Sequence, residues 1–348
     1  MKFNKIFGII AASSLLISSL ASCAVSASAL GTTAGDSAAN GAPAAETFRL
    51  GVMTGSGEQY AAFIAQEEGF FDKHGIKVEV TEYVAGINTV DAIANGVVDS
   101  GDLADFAAAN RIGNTLHDTN LVLYATLSSG GVPVGGLYVA PEYENDLAAL
   151  DGSKGWITQI GTVVEYYNWQ AQTYIGVDPE KQTNIKVDSP QTGLALAQKG
   201  DAAASFVSGA NTRLYEEYGW KRVAGADEIG IKTGGYLVTT KEYIAAHAET
   251  LANYLRGLKE SIDFINSDLD SAAKRIEAKF GINAADFIAN WRSQEYVVGF
   301  SEESAKILDK VNDWAFSQGR YPEAFNARDF IDVSAAKLAF PENVTIIK

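Results

Sequence analysis

Carboxylate and aromatic side chains gather in the loops that follow the predicted strands of this sequence. The acids are Glu58, Asp102, Asp105 and Glu165, and none of these loops contains Lys or Arg. The aromatic residues in or beside the same loops are Tyr60, Tyr83, Phe106, Tyr166, Tyr167, Trp169, Phe206 and Tyr236. Carboxylates beside aromatic faces suit a cation, or a heteroaromatic compound that donates hydrogen bonds. Anions are usually held by Arg, Lys or helix-end amides, so the sequence favours a nitrogen-containing ligand, neutral or cationic.

Glycines and hydroxyl groups complete the candidate site, because glycine lets the backbone approach a ligand and hydroxyls give directional hydrogen bonds. The predicted ligand-binding residues are Thr54, Ser56, Gly57, Glu58, Tyr60, Gly86, Asn88, Asp102, Asp105, Ser128, Thr162, Glu165, Tyr166, Phe206, Ser208 and Tyr236. Adjacent Tyr166 and Tyr167 cannot both face the core from one helix, so one of them should face the ligand. Each acid could instead be a solvated carboxylate or a helix cap, and each aromatic residue a packing residue.

Alternating strand and helix patterns would bring these loops together. Residues 48–53 form a short apolar run, and Ile76, Val78 and Val80 alternate with polar residues as in a strand. Strands that alternate with helices predict an α/β fold with mainly parallel sheets flanked by helices. Ligands bind such sheets beyond the carboxyl ends of their strands.

One pattern occurs twice in the chain. Residues 89–101 read TVDAIANGVVDSG, and residues 192–205 read TGLALAQKGDAAAS. Each is a helix of small residues, a glycine, an aspartate and a short strand. The repetition predicts two similar lobes, although two alanine-rich units could also agree by coincidence.

The first residues predict export and lipid attachment. Lys2 and Lys5 precede residues 6–20, which carry no charge and are too short to span a bilayer comfortably. The run ends in Leu20-Ala21-Ser22-Cys23, which resembles the lipobox of bacterial lipoproteins, and Cys23 is the one cysteine of the chain. We expect residues 1–22 to be a signal peptide, Cys23 to be lipidated, and residues 23–46 to form a flexible tether. The alternative is an ordinary secretory signal cut between residues 26 and 29.

Composition and missing motifs exclude several functions. The chain has 348 residues and a formal net charge of −16, which argues against a nucleic-acid partner. It contains no Gly-x-Ser-x-Gly elbow, no phosphate-binding Gly-x4-Gly-Lys-Ser/Thr loop and no His-Glu-x-x-His motif. One cysteine and three histidines without close metal-ligand spacing do not favour a metal site. We therefore expect a binding protein and not an enzyme, without metal or cofactor.

Several segments, taken in order, resemble a family of binding proteins. They are residues 65–79 (AQEEGFFDKHGIKVE), 92–99 (AIANGVVD), 147–152 (LAALDG) and 196–202 (LAQKGDA). This order is similar to that of the ABC-importer binding proteins of the nitrate/sulfonate/taurine and thiamine-pyrimidine-precursor group. The Gly69-Phe70-Phe71 segment is the most specific part. The chain departs from the family pattern at Ser153-Lys154-Gly155, which concerns only a local turn.

The resemblance implies a two-lobed, type II periplasmic-binding-protein-like fold that clamps its ligand between the lobes. Lobe 1 is expected to comprise residues 47–135 and 238–348, including C-terminal helices, and lobe 2 residues 136–237. Trp291, Trp314 and Phe316 are interpreted as packing residues of those helices.

The implied function is that of a monomeric, lipid-anchored binding protein outside the cytoplasmic membrane. It would deliver a small molecule, such as a thiamine-pyrimidine precursor, to an ABC permease and its ATPase. Alternatives are a sulfonate, taurine or nitrate-like anion held by amides and hydroxyls, or a sensor lipoprotein.

Overall fold

The structure is a computed structural model that describes residues 46–159 and 161–347. The predicted signal peptide, Cys23 and nearly all of the predicted tether lie outside the described residues. In the described part of the chain, no helix combines the length and the apolar character needed to cross a bilayer.

Ten strands form two sheets of five strands each in the described residues. The strands are β1 Glu46–Met53, β2 Ile76–Tyr83, β3 Ser100–Ala104, β4 Leu121–Gly131, β5 Gly135–Val139, β6 Trp156–Gln159, β7 Asn184–Val187, β8 Ala204–Ser208, β9 Lys221–Gly225 and β10 Thr233–Thr240. The helices are α1 Gly57–Glu67, α2 Phe70–Lys73, α3 Gly86–Ala94, α4 Asp105–Asn114, α5 Val164–Tyr174, α6 Pro190–Lys199, α7 Asn211–Glu217, α8 Ala226–Ile229, α9 Lys241–Ser267, α10 Leu269–Phe280, α11 Ala284–Arg292, α12 Glu302–Ser317 and α13 Ser334–Ala339.

Both sheets have the same arrangement of strand directions. The first has the order β2-β1-β3-β10-β4, and β10 runs antiparallel between β3 and β4. The second has the order β7-β6-β8-β5-β9, and β5 runs antiparallel between β8 and β9. The repeated sequence pattern corresponds to α3–β3 in the first sheet and α6–β8 in the second. These units occupy equivalent places, which agrees with the prediction of two similar lobes and confirms the α/β fold class.

The chain passes between the sheets twice. The first passage joins β4 to β5, and the second joins α8 to β10. Because β10 is hydrogen-bonded to β3 and β4 along its length, residues 233–237 belong to the first sheet. The predicted end of lobe 2 at residue 237 therefore falls inside a strand of the first sheet. Gly234 and Gly235 lie within this strand, close to the end of the second passage.

The long helix α9 packs against the first sheet with the predicted spacing. Leu251, Leu255, Leu258 and Ile262 recur at intervals of three or four residues and are buried. Tyr254, on the same face, stacks on Phe71 with ring centroids 5.5 Å apart. The Phe71 of the Gly-Phe-Phe segment thus positions α9 against the helices that follow β1.

A methyl group at Gly257 should disturb this contact. A Cβ atom there would lie 2.5 Å from a ring carbon of buried Phe71. Alanine raises helix propensity by up to about 1 kcal/mol, whereas overpacking costs about 1–3 kcal/mol. We therefore expect Gly257→Ala to lower the free energy of unfolding by about 1 kcal/mol, measured by urea denaturation. Glu249→Ala, on the exposed face of the same helix, is the control and should change it by less than about 0.5 kcal/mol. A Gly257→Ala protein more stable than wild type would contradict this packing.

Candidate ligand-binding site

A cavity of about 460 Å3 lies between the two sheets. The first sheet contributes the loop after β1 and parts of β3, β4 and β10. The second sheet contributes the loop after β8, and α5 contributes Tyr167. Residues 282–296, in and around α11, form a further wall. The volume is that of a small-molecule site.

The turn after β1 positions Glu58 in this cavity. Ser56 caps α1, because its Oγ accepts a hydrogen bond of 3.1 Å from the amide of Gln59. Gly57 begins the helix, and a Cβ atom there would lie 2.6 Å from the hydroxyl of Tyr296. Glycine therefore permits the close approach of Tyr296, and Glu58 occupies the first turn of the helix.

Two carboxyl groups lie at the base of the cavity. Glu58 is only 1% exposed, and its Oε1 accepts a hydrogen bond from the hydroxyl of Tyr254. Its Oε2 is buried without a hydrogen-bond partner. Asp102, at 7% exposure, accepts a hydrogen bond of 2.7 Å from the amide of Met53. An unpaired buried carboxylate oxygen is costly, so this pair needs either a proton or a ligand.

Burial raises the pKa of both acids. Burial raises the pKa of Glu58 well above its ordinary value, and the nearby charge of Asp102 raises it further. Burial also raises the pKa of Asp102 to about 6, against hydrogen bonds from Met53 and Ser56 that lower it. Both acids therefore keep a proton to higher pH than ordinary carboxyls do, and because they interact with each other they titrate as a coupled pair.

Aromatic rings form a further wall of the cavity. Trp291 and Tyr296 are stacked, with ring centroids 3.9 Å apart and planes at 22°. Phe287 lies 5.5 Å from Trp291, and Tyr60 meets Phe287 edge to face at 5.2 Å. The cavity thus presents flat apolar surfaces beside buried carboxyls. Among the described residues that line it, none is Lys, Arg or His.

Phe287, Trp291 and Tyr296 of this aromatic wall were not predicted as ligand-binding residues from the sequence. Trp291 was expected to be a packing residue; it is buried at 4% exposure and also lines the cavity. Phe316, also interpreted as packing, is 42% exposed. The four-residue spacing of Phe287 and Trp291 on one helix face was the available signal. Nothing local, however, indicated that this face reaches the loop after β1.

Nine of the sixteen predicted site residues line the cavity. They are Thr54, Ser56, Gly57, Glu58, Tyr60, Asp102, Ser128, Ser208 and Tyr236. They come from the ends of β1, β3 and β4 and the start of β10 in the first sheet, and from the end of β8 in the second sheet. Of the adjacent tyrosines, Tyr167 lines the cavity and Tyr166 does not. Both are buried, because Tyr166 packs on Trp314 and Tyr167 on Phe206.

Two of the remaining predicted residues have structural partners instead of a place in the cavity. Asp105 accepts hydrogen bonds from the amides of Phe106 and Gly234, at 2.7 and 3.1 Å, and so ties α4 to β10. Burial raises the pKa of Asp105 to about 7. Glu165 forms an ion pair of 2.9 Å with Arg320.

The other four predicted residues also lie outside the main cavity. Phe206 lines a smaller cavity of about 170 Å3 in the second sheet. Thr162 donates a hydrogen bond of 3.0 Å to the carbonyl of Gln159. Gly86 is buried against Leu103, and Asn88 is exposed.

Comparisons with known proteins agree with this architecture. Residues 41–152 match the model of the NMT1-like family. The family resemblance is confirmed. A comparison with curated protein sequences gives no match.

Solved structures share the fold at low sequence identity. The alkanesulfonate-binding protein SsuA of Xanthomonas axonopodis pv. citri, bound to MOPS, is 17% identical, with a TM-score of 0.68 over 83% of this chain and 98% of that one. The nitrate-binding protein NrtA of Synechocystis PCC 6803 is 14% identical, with a TM-score of 0.65 over 84% of this chain and 89% of that one. The CA3427 gene product of Candida albicans, described as having the generic periplasmic binding protein fold, is 14% identical, with a TM-score of 0.63 over 87% and 97%. The predicted periplasmic-binding-protein-like fold is therefore confirmed.

The buried acids predict how stability depends on pH. A carboxyl whose pKa is raised on folding favours the folded state below its unfolded pKa, and this contribution is lost as pH rises through the folded pKa. Glu58 and Asp102 should therefore make the protein less stable as pH rises from about 5 to 8. In Glu58→Gln the amide can still accept from Tyr254 and donate to Asp102, so this variant should lose less stability over the same range. Thermal unfolding across this pH range is the measurement, with Glu144→Gln, an exposed acid outside the cavity, as control. Parallel curves for wild type and Glu58→Gln would contradict this prediction.

Proposed function

We propose that this protein is an extracytoplasmic solute-binding protein that captures a small nitrogen-containing molecule between its two lobes and delivers it to an ABC importer. The observation that carries the proposal is the cavity itself, which combines two buried carboxyls with aromatic surfaces and, among the described residues, no basic side chain. Catalysis is no part of this proposal, because the SsuA and NrtA neighbours are named as binding proteins.

The carboxyl pair favours a neutral or cationic ligand over an anion. The negative charge that remains on the pair of buried acids would repel a sulfonate or nitrate, and this repulsion is strong where water is excluded. An amino group or a protonated nitrogen would instead donate to the free oxygen of Glu58. Flat faces such as Trp291 and Tyr296 suit a planar ring or a cation. A compound of the thiamine-pyrimidine-precursor type combines both features.

An anion remains the second candidate because of the hydroxyl groups. Ser56, Ser128 and Ser208 line the cavity together with backbone amides near Gly55 and Gly234. Two of the structural neighbours are named for sulfonate and nitrate binding. A sensor lipoprotein that uses the same clamp is a further alternative.

Ligand binding is expected to favour closure of the two lobes around the passages between the sheets. A ligand that contacts both lobes binds the closed form better and shifts the population toward it. The closed form is then proposed to dock on the permease as a monomer.

The ligand class can be tested by calorimetry with 4-amino-5-hydroxymethyl-2-methylpyrimidine, benzamidine, taurine and nitrate. We expect the pyrimidine and benzamidine to bind, and the zwitterion taurine and the anion nitrate to bind at least tenfold more weakly. Asp102→Asn should weaken the nitrogen compounds about tenfold or more, since it removes the carboxylate that opposes anions and attracts donors. Asn88→Ala is the matched control, because Asn88 was predicted as a contact but is exposed outside the cavity. Tight taurine binding would refute the proposed ligand class.

Lipid attachment at Cys23 is proposed separately from the sequence, since the residue lies outside the described part. When the full chain is expressed in a bacterium with labelled palmitate, the label should enter the protein and the membrane fraction. Cys23→Ser should remove both, because the thiol is the acyl acceptor. A membrane-bound, unlabelled wild type, or a labelled Cys23→Ser protein, would contradict the assignment.

A further inference from the structure

Glu58 has an oxygen to which no donor of the described residues is bonded, and the neighbouring acid Asp102 can pair with Glu58 only if one of the two carries a proton. Its Oε1 accepts from Tyr254, but its Oε2 is buried and has no hydrogen-bond partner. The side chain is 1% exposed and lines the cavity. A carboxylate in this position would leave one oxygen unsolvated, which is unfavourable unless a donor arrives.

No group that faces Glu58 supplies a compensating positive charge. Asp102 reaches it from β3, Tyr254 from α9 and Tyr124 from β4. Each of these groups is neutral or becomes negative when it loses a proton, and Tyr124 already exchanges a hydrogen bond of 2.8 Å with Ser100. Among the described residues that line the cavity there is no cation. Without a ligand, the described residues therefore leave a proton as the counter-charge for this pair.

We propose that Glu58 and Asp102 hold one exchangeable proton between them in the empty cavity, and that an N–H donor of a cationic ligand replaces it. This inference rests on the ligand class in the proposed function, and it adds that pH regulates the binding of that ligand. In this step the carboxylic acid of Glu58 and the ligand cation form a carboxylate–cation pair, and one proton passes to solvent. No bond other than O–H is broken.

The exchange makes the affinity for a cationic ligand depend on pH, with weaker binding at lower pH. Below the pKa of Glu58, each unit of falling pH adds tenfold more proton to compete with the cation, so affinity should fall up to tenfold per unit. An anion offers no donor to Oε2 and leaves the proton in place. The proton therefore allows the site to discriminate between ligands that carry a hydrogen-bond donor and ligands that do not.

The proton itself can be observed without a ligand. In protein labelled with carbon-13 at the Glu and Asp carboxyl groups, NMR across pH 4–9 should show one glutamate signal still protonated at pH 7. That signal should be missing in Glu58→Gln, and Asp102→Asn should shift its titration to lower pH, since the neighbouring charge is gone. Titration of both carboxyls near their ordinary values, about 4, would overturn the proposal.

The exchange can be measured with benzamidine, a planar amidinium that stays charged across the range used. Calorimetry at pH 6 and pH 8, in phosphate and in Tris, should show tighter binding at pH 8 and the release of up to one proton. Glu58→Gln should remove both effects, whereas Glu144→Gln should keep them. Equal affinity at the two pH values, or equal heats in the two buffers, would overturn the exchange. If benzamidine does not bind at either pH, the exchange with an amidinium is wrong, while the pyrimidine and taurine measurements decide the proposed function independently.

Discussion

The antiparallel strand β10 is the element on which the candidate site depends. It lies between β3 and β4, so it joins two parts of the first sheet that would otherwise end in open edges. Its first residues line the cavity, and Asp105 fixes them through the amide of Gly234. Tyr236 donates a hydrogen bond of 2.7 Å to the carbonyl of Ser304 and so attaches α12 to the sheet. The base of the cavity, the return from the second sheet and the C-terminal helices are thus held by one strand.

The buried acids follow from this packing. Asp102 lies on β3 directly beside β10, paired with Leu237, and α1 brings Glu58 to the same place. The hydroxyl of Tyr254 holds Glu58 from α9, and α9 is itself positioned by Phe71. The family segment Gly69-Phe70-Phe71 therefore acts on the site indirectly. It sets the helix whose tyrosine orients one carboxyl.

The sequence could predict those parts of the site that follow from local rules. Ser56, Glu58 and Asp102 were found because side chains after parallel strands meet at one edge of a sheet. Trp291 and Tyr296 were not assigned to the site because they come almost two hundred residues later, and no local pattern states where a distant helix packs. Lobe 2 was expected to end at residue 237, and the pairing that places this residue in a strand of the first sheet is long-range. Likewise, only the contact with Trp314 explains why Tyr166 is buried away from the cavity.

The two lobes contribute to recognition in different ways. Glu58, Asp102 and Tyr254 all belong to elements of the first sheet and its helices, so the acid pair is already assembled before any closure. The second sheet brings Ser208 and Asn211, which are neutral hydrogen-bonding groups. On one flank the lobes already touch, since Tyr166 packs on Trp314 at 4.8 Å and Glu165 pairs with Arg320. In the proposed clamp, charge is therefore recognised by the first lobe alone, because movement of the second lobe leaves the distance between the two carboxyls unchanged. Closure would then depend on the shape and hydrogen-bonding pattern of the ligand, whereas the pH dependence of ligand binding would depend on the charge of the ligand.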